Sequence, residues 1–307
     1  MIGISLRGGL GNQMFQYAAA RVAAERLGCP LAVHEWNVGR SAAMRGAGSR
    51  RVRAEVASYH PGVIQSRLGT GLQAIRETAG EHYYAKLHRR LFPRQFSPRS
   101  VAVEGEGEGE MEAYDPAFDA LKPRTWLNGF FQSARYLRGH EAQVRRWFAP
   151  SPAIAAQVER LSAAFPKPAE QMVAIHVRRG DYLTQRGICA HTETGWALPV
   201  DYYRKALREL PDGLRIALFS DDPAFAIEHF GDLRPWVSTG NSAGVDLHLM
   251  ASCRYAIIAN SSLSWWGAFL NKAAAPVVVA PKYHLGFREK VWFPQDIDVD
   301  GWTYVEL

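Results

Sequence analysis

At 307 residues, 47% of them hydrophobic and 21% charged, the chain is long enough for one large domain or two ordinary ones and has ample apolar content for a core. No run of about eighteen apolar residues is present, which argues against a membrane-spanning helix, and three cysteines (Cys29, Cys189, Cys253), odd in number and without metal-ligand spacing, fit a reducing cytoplasm. The formal charge of +6 is uneven. Residues 40–99 hold twelve Lys/Arg against Glu55, Glu77 and Glu81, a surplus of nine, so the rest of the chain carries −3. That basic stretch could meet anionic lipid, a phosphate-bearing acceptor or nucleic acid, or be a solvated arginine-rich surface. No RNP pattern, zinc-finger spacing or basic heptad accompanies it, so nucleic acid is not an expected partner.

In chain order, Ile2, Ile4 and Leu6 alternate as a strand at the very start, which leaves no room for a signal peptide. The turn Arg7-Gly8-Gly9-Leu10-Gly11-Asn12 leads into a helix over about 13–27, with Met14, Phe15, Ala18 and Val22 on one face and Gly28 as its stop. A second strand is expected at 31–33. Residues 36–100 show only helical patches such as 83–91. The Glu/Gly alternation at 104–110 reads as a solvated loop. A strand is expected at 126–131, a helix at 134–148, another from Pro152, and a linker at Phe165-Pro-Lys-Pro168. From there β and α patterns alternate with short connections: strands at 172–177, 214–220, near 236, at 255–259 and at 277–280, and helices at 201–209, 223–230, 245–252 and 263–271. Such alternation implies a doubly wound parallel sheet, and the boundary is placed at 165/166.

The chemistry concentrates at strand ends. Met172-Val-Ala-Ile-His-Val-Arg-Arg-Gly-Asp-Tyr182 is an apolar strand that stops in two arginines, a glycine and an aspartate. Ligands of open α/β sheets bind beyond the carboxyl ends of strands, and the arginine fork suits phosphate, so a diphosphate clamp is one reading and a charged loop the other. At Gly8–Gln13, glycines and a helix start offer backbone amides to a ligand, although the third glycine and the acidic residue of a dinucleotide fingerprint are missing. Asp221 and Asp222 could hold a divalent metal. Asp222 before Pro223 instead has the form of a helix cap, with Asp221 left to face a ligand. Asp246, near the start of its helix, could accept hydrogen bonds from guanine N1 and N2, or merely complement the helix dipole. Ala259-Asn-Ser-Ser-Leu-Ser-Trp-Trp-Gly267 puts hydroxyls and free amides at a third helix start, with Trp265 and Trp266 read as core. The histidines show no metal-ligand pairing, and no metal site is expected.

Taken together, Gly8-Gly-Leu-Gly-Asn-Gln-Met-Phe-Gln-Tyr17, His176-Val-Arg-Arg-Gly-Asp181 and Asn260-Ser-Ser-Leu-Ser-Trp-Trp-Gly267 resemble the hallmark motifs of the bacterial α-1,2-fucosyltransferases of glycosyltransferase family 11. Trp126-Leu-Asn-Gly-Phe-Phe-Gln-Ser133 and Ala280-Pro-Lys-Tyr283 are similar to family segments in the same order, while residues 36–109 show no match. The resemblance implies an α/β fold of GT-B type, two facing Rossmann-like domains with a nucleotide-sugar cleft between them, an acceptor-side domain at 1–165 and a donor-binding domain at 166–307. It implies inverting, metal-independent transfer of L-fucose from GDP-β-L-fucose to the 2-hydroxyl of a terminal galactoside, as in O-antigen or capsule synthesis, on a cytoplasmic protein whose basic 40–99 region could touch the inner membrane face. Alternatives are a different linkage (α-1,3 or α-1,6) or a non-catalytic GDP-sugar or glycan binder. By the same resemblance Arg178 neutralises the β-phosphate, Ser261 and Ser262 hold the diphosphate, Asp246 reads guanine, and Asn12 with Gly11 reaches the donor. His176 and Asp221 complete the expected donor-binding set. Inversion needs a base; Asp181 is the first candidate, with a salt bridge to Arg178 or Arg179 as its other reading, and His191 and Glu193 follow.

Overall fold

The computed structural model describes residues 1–37, 81–102, 110–185 and 195–307. Most of the basic 40–99 stretch, the Glu/Gly run, Cys189, His191 and Glu193 therefore lie outside the described residues. The chain divides into two compact units, Met1–Val101 with Glu112–Ala149, and Ala102–Met111 with Pro150–Leu307.

The first unit is built on a parallel sheet in the order β2-β1-β6-β3, with β1 Ile2–Arg7, β2 Leu31–Asn37, β3 Arg94–Phe96 and β6 Thr125–Leu127. β4 (Arg99–Ala102) and β5 (Glu110–Ala113) form a separate two-stranded sheet. Helix α1 (Leu10–Arg26) starts three residues earlier than its sequence pattern predicts and is buried around most of its circumference, not on one face. Its alanine content explains the burial: Ala18, Ala19, Ala20, Ala23 and Ala24 let it lie close to β1 on one side and to the 3-10 turn Ala134–Leu137 on the other. Gly28, at φ +57, ends it. Helix α2 spans Glu81–Leu91.

Two expectations for this unit need correction. The strand expected at 126–131 is confined to Thr125–Leu127: the Phe130 and Phe131 amides go to the Glu112 carboxylate and not to a neighbouring strand, and Phe131 turns left-handed (φ 56). The single helix expected at 134–148 is a 3-10 turn followed by α3 (Glu141–Trp147), broken where Gly139 takes φ +78.

The second unit carries a six-stranded, wholly parallel sheet in the order β12-β11-β10-β7-β8-β9: β7 Met172–Val177, β8 Arg215–Ser220, β9 Trp236–Val237, β10 Tyr255–Ile257, β11 Val277–Pro281 and β12 Thr303–Val305. Helices α4 (Pro152–Ser162), α5 (Val200–Leu207), α6 (Pro223–Phe230), α7 (Ala243–Ser252) and α8 (Ser262–Phe269) complete it. Every residue of β7 is buried. Val173, Ile175 and Val177 pack with Tyr202, Tyr203 and Phe230 on one face. Ala256, Ile258 and Val278 pack with Ala268 on the other. A strand covered on both faces has no polar side to show, which is why 172–177 reads as an unbroken apolar run.

The boundary between units falls at Pro150, not at 165/166. Ser151 caps α4 by accepting from the Ile154 amide at 3.4 Å, and α4 packs on α7 of the second unit. Phe165, placed by sequence in a linker, sits edge-on against Trp236 at 5.0 Å. Each unit is a Rossmann-like parallel α/β body, as expected of a chain of GT-B type.

Candidate active site

The carboxyl end of β7 delivers Arg178 and Arg179 side by side into different surroundings. The Arg178 guanidinium makes two ion pairs, Nη2 to Asp181 Oδ1 at 2.5 Å and Nη1 to Asp221 Oδ2 at 2.9 Å, and lies 5.3 Å from the Tyr182 ring centre. Burial alone would lower its pKa; the two carboxylates outweigh that and raise it, so it stays charged. Arg179 turns the other way, stacking on Phe225 at 3.4 Å and reaching Asp222 Oδ2 at 3.2 Å. It is a packing residue that ties the strand end to α6.

The two adjacent aspartates separate accordingly. Asp222 caps α6, its Oδ1 accepting from the Phe225 amide at 3.1 Å with Pro223 in the first turn. Asp221 accepts the Arg179 amide at 2.8 Å while pairing with Arg178. A Cβ at Gly180 would come within 2.5 Å of Asp221 Oδ2, so glycine is what lets the chain pass this carboxylate. Both aspartates thus answer arginines. Among the described residues no group of three His, Cys, Asp or Glu side chains is placed to hold a metal ion.

Beside Arg178 lies the start of α8. Ser261 is buried at its N-cap position without using its hydroxyl as a cap, so the first amides of the helix are not taken by that side chain. Ser262 opens the helix, and the Ser264 hydroxyl instead accepts from the Ala259 amide at 3.0 Å. Asn260, fully buried, donates from Nδ2 to the Trp196 carbonyl at 2.8 Å, and its Oδ1 has no hydrogen-bond partner. The Tyr182 hydroxyl donates to the Asn260 carbonyl at 3.2 Å. Tyr182 therefore links the arginine at the end of β7 to Asn260, two residues before α8. Trp265 and Trp266 are core, as expected.

His176, on β7, alternates with Val177 and so faces the side of the sheet that carries α8. Burial first, then the positive charge of Arg178, pushes its pKa down to about 3, which leaves the ring neutral, with Nδ1 buried and unpartnered. Asp246, in the first turn of α7, accepts from the Ser238 hydroxyl at 2.5 Å, and Ser238 also receives the Asn241 amide at 2.8 Å. Burial raises the Asp246 pKa while Ser238 and Asn241 hold it down. It is a desolvated carboxylate with built partners, more than a charge complementing a helix end.

In the first unit the turn after β1 is organised by amides. Gln16 holds the Arg7 backbone from both sides, accepting its N–H at 2.8 Å and donating to its carbonyl at 3.2 Å. Gln13 donates to the Gly8 carbonyl at 2.8 Å, and Asn12 accepts from Gln132 at 2.7 Å. Gly8, at φ +79, would bring a Cβ to 2.7 Å from the Asn12 amide. Gly11 is buried within the first turn of α1.

Sequence reasoning missed one cluster here. The Arg7 guanidinium stacks over Phe130 at 4.4 Å, and Glu112 accepts the amides of Phe130 (2.7 Å) and Phe131 (3.0 Å) 3.9 Å from Arg7. Burial raises the Glu112 pKa. No local spacing signals a contact made across that much sequence.

Of the site residues expected, the structure brings Arg178, Asp181, Asp221, His176, Ser261 and Ser262 to the carboxyl edge of the second sheet. Asp246 stands at the start of α7 along the same edge, beyond β9. Asn12 and Gly11 stand at the corresponding edge of the first sheet. A cavity of about 320 Å³ lined by Val158, Glu170, His248 and Lys272 lies at the opposite, amino end of the second sheet and is no part of this set.

Residues 124–306 match glycosyl transferase family 11, a span that takes in every second-unit residue of the candidate site. Over 309 aligned residues the chain is 28% identical to the O-antigen biosynthesis glycosyltransferase WbnK of Escherichia coli, covering 97% of this chain and 98% of that one. It is 29% identical over 184 residues to an alpha-1,2-colitosyltransferase of Escherichia coli, 56% of this chain and 60% of that one. Fucosyltransferase NodZ from Bradyrhizobium aligns with a TM-score of 0.48 at 16% identity, over 88% of this chain and 92% of its own. POFUT1 in complex with GDP-fucose aligns with a TM-score of 0.45 at 14% identity, over 91% and 97%. These two likenesses are too low to carry a residue-level argument. The family match extends over more than half of the sequence, and the chain belongs to glycosyl transferase family 11.

Proposed function

We propose that the protein is an inverting α-1,2-fucosyltransferase of GT-B type that moves L-fucose from GDP-β-L-fucose to the 2-hydroxyl of a terminal galactoside during surface-glycan synthesis. The observation that carries the proposal is the placement of Arg178, a permanently charged fork at the end of β7, on the same edge as the start of α8, which follows the neighbouring strand β10 and is not capped by the Ser261 side chain. A nucleoside diphosphate leaves only if its developing charge is matched, and an arginine with preorganised helix amides can do that without a metal. Arg178 takes the β-phosphate, and Ser261 and Ser262 with the first amides of α8 take the remaining diphosphate oxygens. Asp246, desolvated and oriented by Ser238, accepts from guanine N1 and N2, donors that adenine does not offer in that pattern. His176, neutral at physiological pH, and Asp221 shape the bed under the phosphates. Asn12 and Gly11 of the first unit are assigned a contact to the donor.

In the transfer the acceptor oxygen attacks the anomeric carbon, the bond to the β-phosphate oxygen breaks, and GDP leaves with the electron pair. The hydroxyl proton passes to a carboxylate, and Asp181 is assigned that role once it is released from Arg178. The likeness to an alpha-1,2-colitosyltransferase favours a second reading, in which the donor sugar is colitose, which lacks the 3-hydroxyl of fucose. Turnover of GDP-fucose and GDP-colitose on galactosides, with and without EDTA, tests both. The proposal expects GDP-fucose to be the better donor and EDTA to have no effect. Preference for GDP-colitose supports the second reading, and loss of activity in EDTA with rescue by manganese contradicts the metal-free route.

A further inference from the structure

The charge count around Arg178 does not suit an open phosphate clamp. Two carboxylates, Asp181 at 2.5 Å and Asp221 at 2.9 Å, already occupy its fork. With Arg179 paired to Asp222, the group of two arginines and three aspartates carries a net charge of −1. An arriving diphosphate therefore meets a satisfied arginine inside a negative cluster, and one of the two carboxylates must yield its place.

The two are not equally held. Asp221 is fixed from several directions: Oδ2 on Arg178, Oδ1 on the Arg179 amide at 2.8 Å, and the backbone of Gly180 closed against it. Asp181 is different. Among the described residues its carboxylate hydrogen-bonds to Arg178 alone, and its side chain is 38% exposed. It rides on one 3-10 turn, Gly180–Leu183, the weaker kind of helical hydrogen bonding. Rotation of this side chain into solvent costs one half-exposed ion pair and leaves Asp221 and Tyr182 holding the guanidinium.

We propose that Asp181 is a displaceable internal counter-ion: it occupies the Arg178 fork in the free enzyme and is exchanged for a diphosphate oxygen of the donor. The inference rests on the donor-binding reading above and adds to it an order of events. With no donor bound, the carboxylate is spent on Arg178 and Arg178 is spent on the carboxylate. Donor binding frees Asp181 at the same moment that it engages the arginine, so a carboxylate able to take up a proton exists only in the loaded enzyme. Acceptor activation is thereby tied to donor occupancy.

A bracing role and a competing role predict opposite signs. A brace that orients Arg178 makes Asp181→Asn weaken diphosphate binding, whereas a competitor makes the same change strengthen it. Calorimetric titration of the full-length wild type and Asp181→Asn with GDP and with guanosine reads the difference. The exchange predicts GDP binding about three- to tenfold tighter in Asp181→Asn, unchanged guanosine binding, and a lower thermal midpoint for the free variant, since the ion pair is lost. Asp221→Asn, which loosens the fixed support, is expected to weaken GDP binding. Equal or weaker GDP binding by Asp181→Asn with guanosine unchanged overturns the exchange and makes Asp181 a brace. If the wild type binds neither GDP nor guanosine, the donor-binding reading itself fails.

Discussion

In both parallel sheets of this protein a strand runs into a helix start, yet the edges are built from different materials. In the first unit the turn after β1 is held by neutral amides: Gln16 on the Arg7 backbone, Gln13 on Gly8, and Asn12 with Gln132. In the second, β7 ends in two arginines answered by three aspartates. An amide edge is fixed by its own hydrogen bonds and meets a ligand without rearranging. A charged edge is strong but self-satisfied, and a ligand can use it only by displacing a partner. The two edges therefore differ in how they respond to substitution.

The largest effect is expected at the charged edge. Arg178→Ala should lower kcat/KM with GDP-fucose by about 10²–10³, the usual loss when one preorganised charge-stabilising contact is removed. Arg179→Ala, which loses packing on Phe225, should lower the thermal midpoint and leave GDP affinity alone. Equal catalytic losses in the two variants would erase the distinction drawn between these neighbours.

Acidity comes next. His176 has its pKa pushed down to about 3 and His284 to about 4, both by burial, against 6.5 for a free imidazole. Below about pH 6.5 the unfolded chain takes up protons that the native state refuses. Native stability is therefore intact above that pH and falls as the pH drops toward 3–4, by about 1.4 kcal/mol per pH unit for each histidine. Urea midpoints measured between pH 7.5 and 4.5 should show this slope, and His176→Gln should reduce it.

Asp246→Asn is expected to weaken GDP binding about tenfold or more, the range of a hydrogen bond to a charged group, and to narrow the preference for GDP over ADP. Competition binding with both nucleotides checks it. The smallest catalytic effect belongs to the first unit: Glu112→Gln replaces a partly buried carboxylate at the Phe130 and Phe131 amides by a neutral acceptor, costing about 1 kcal/mol of stability with GDP affinity retained.

How much of this was legible from the residues depended on the range of the forces involved. β7 was readable to its ends because a strand buried on both faces has a compositional signature, and Asp222 was readable as a cap because Pro223 follows it. The helix break at Gly139 was missed because an apolar pattern continues through it, and the boundary was misplaced because Phe165-Pro-Lys-Pro168 has linker composition but Phe165 packs on Trp236. At the site, the residue types at the strand ends and their local partners were visible, while the long-range partners were not. The pairing of Asp181 with Arg178, three residues away, was one of the two readings its position allowed, whereas Asp221 on the same guanidinium and Glu112 on the Phe130 amide depend on chain crossings that no local pattern encodes.

The transfer is tested by linkage analysis of the product formed from GDP-fucose with lactose and with N-acetyllactosamine. The expected product is fucosylated through an α-linkage to the galactose 2-hydroxyl. A product linked elsewhere, or GDP binding with no product across galactoside acceptors, would contradict it.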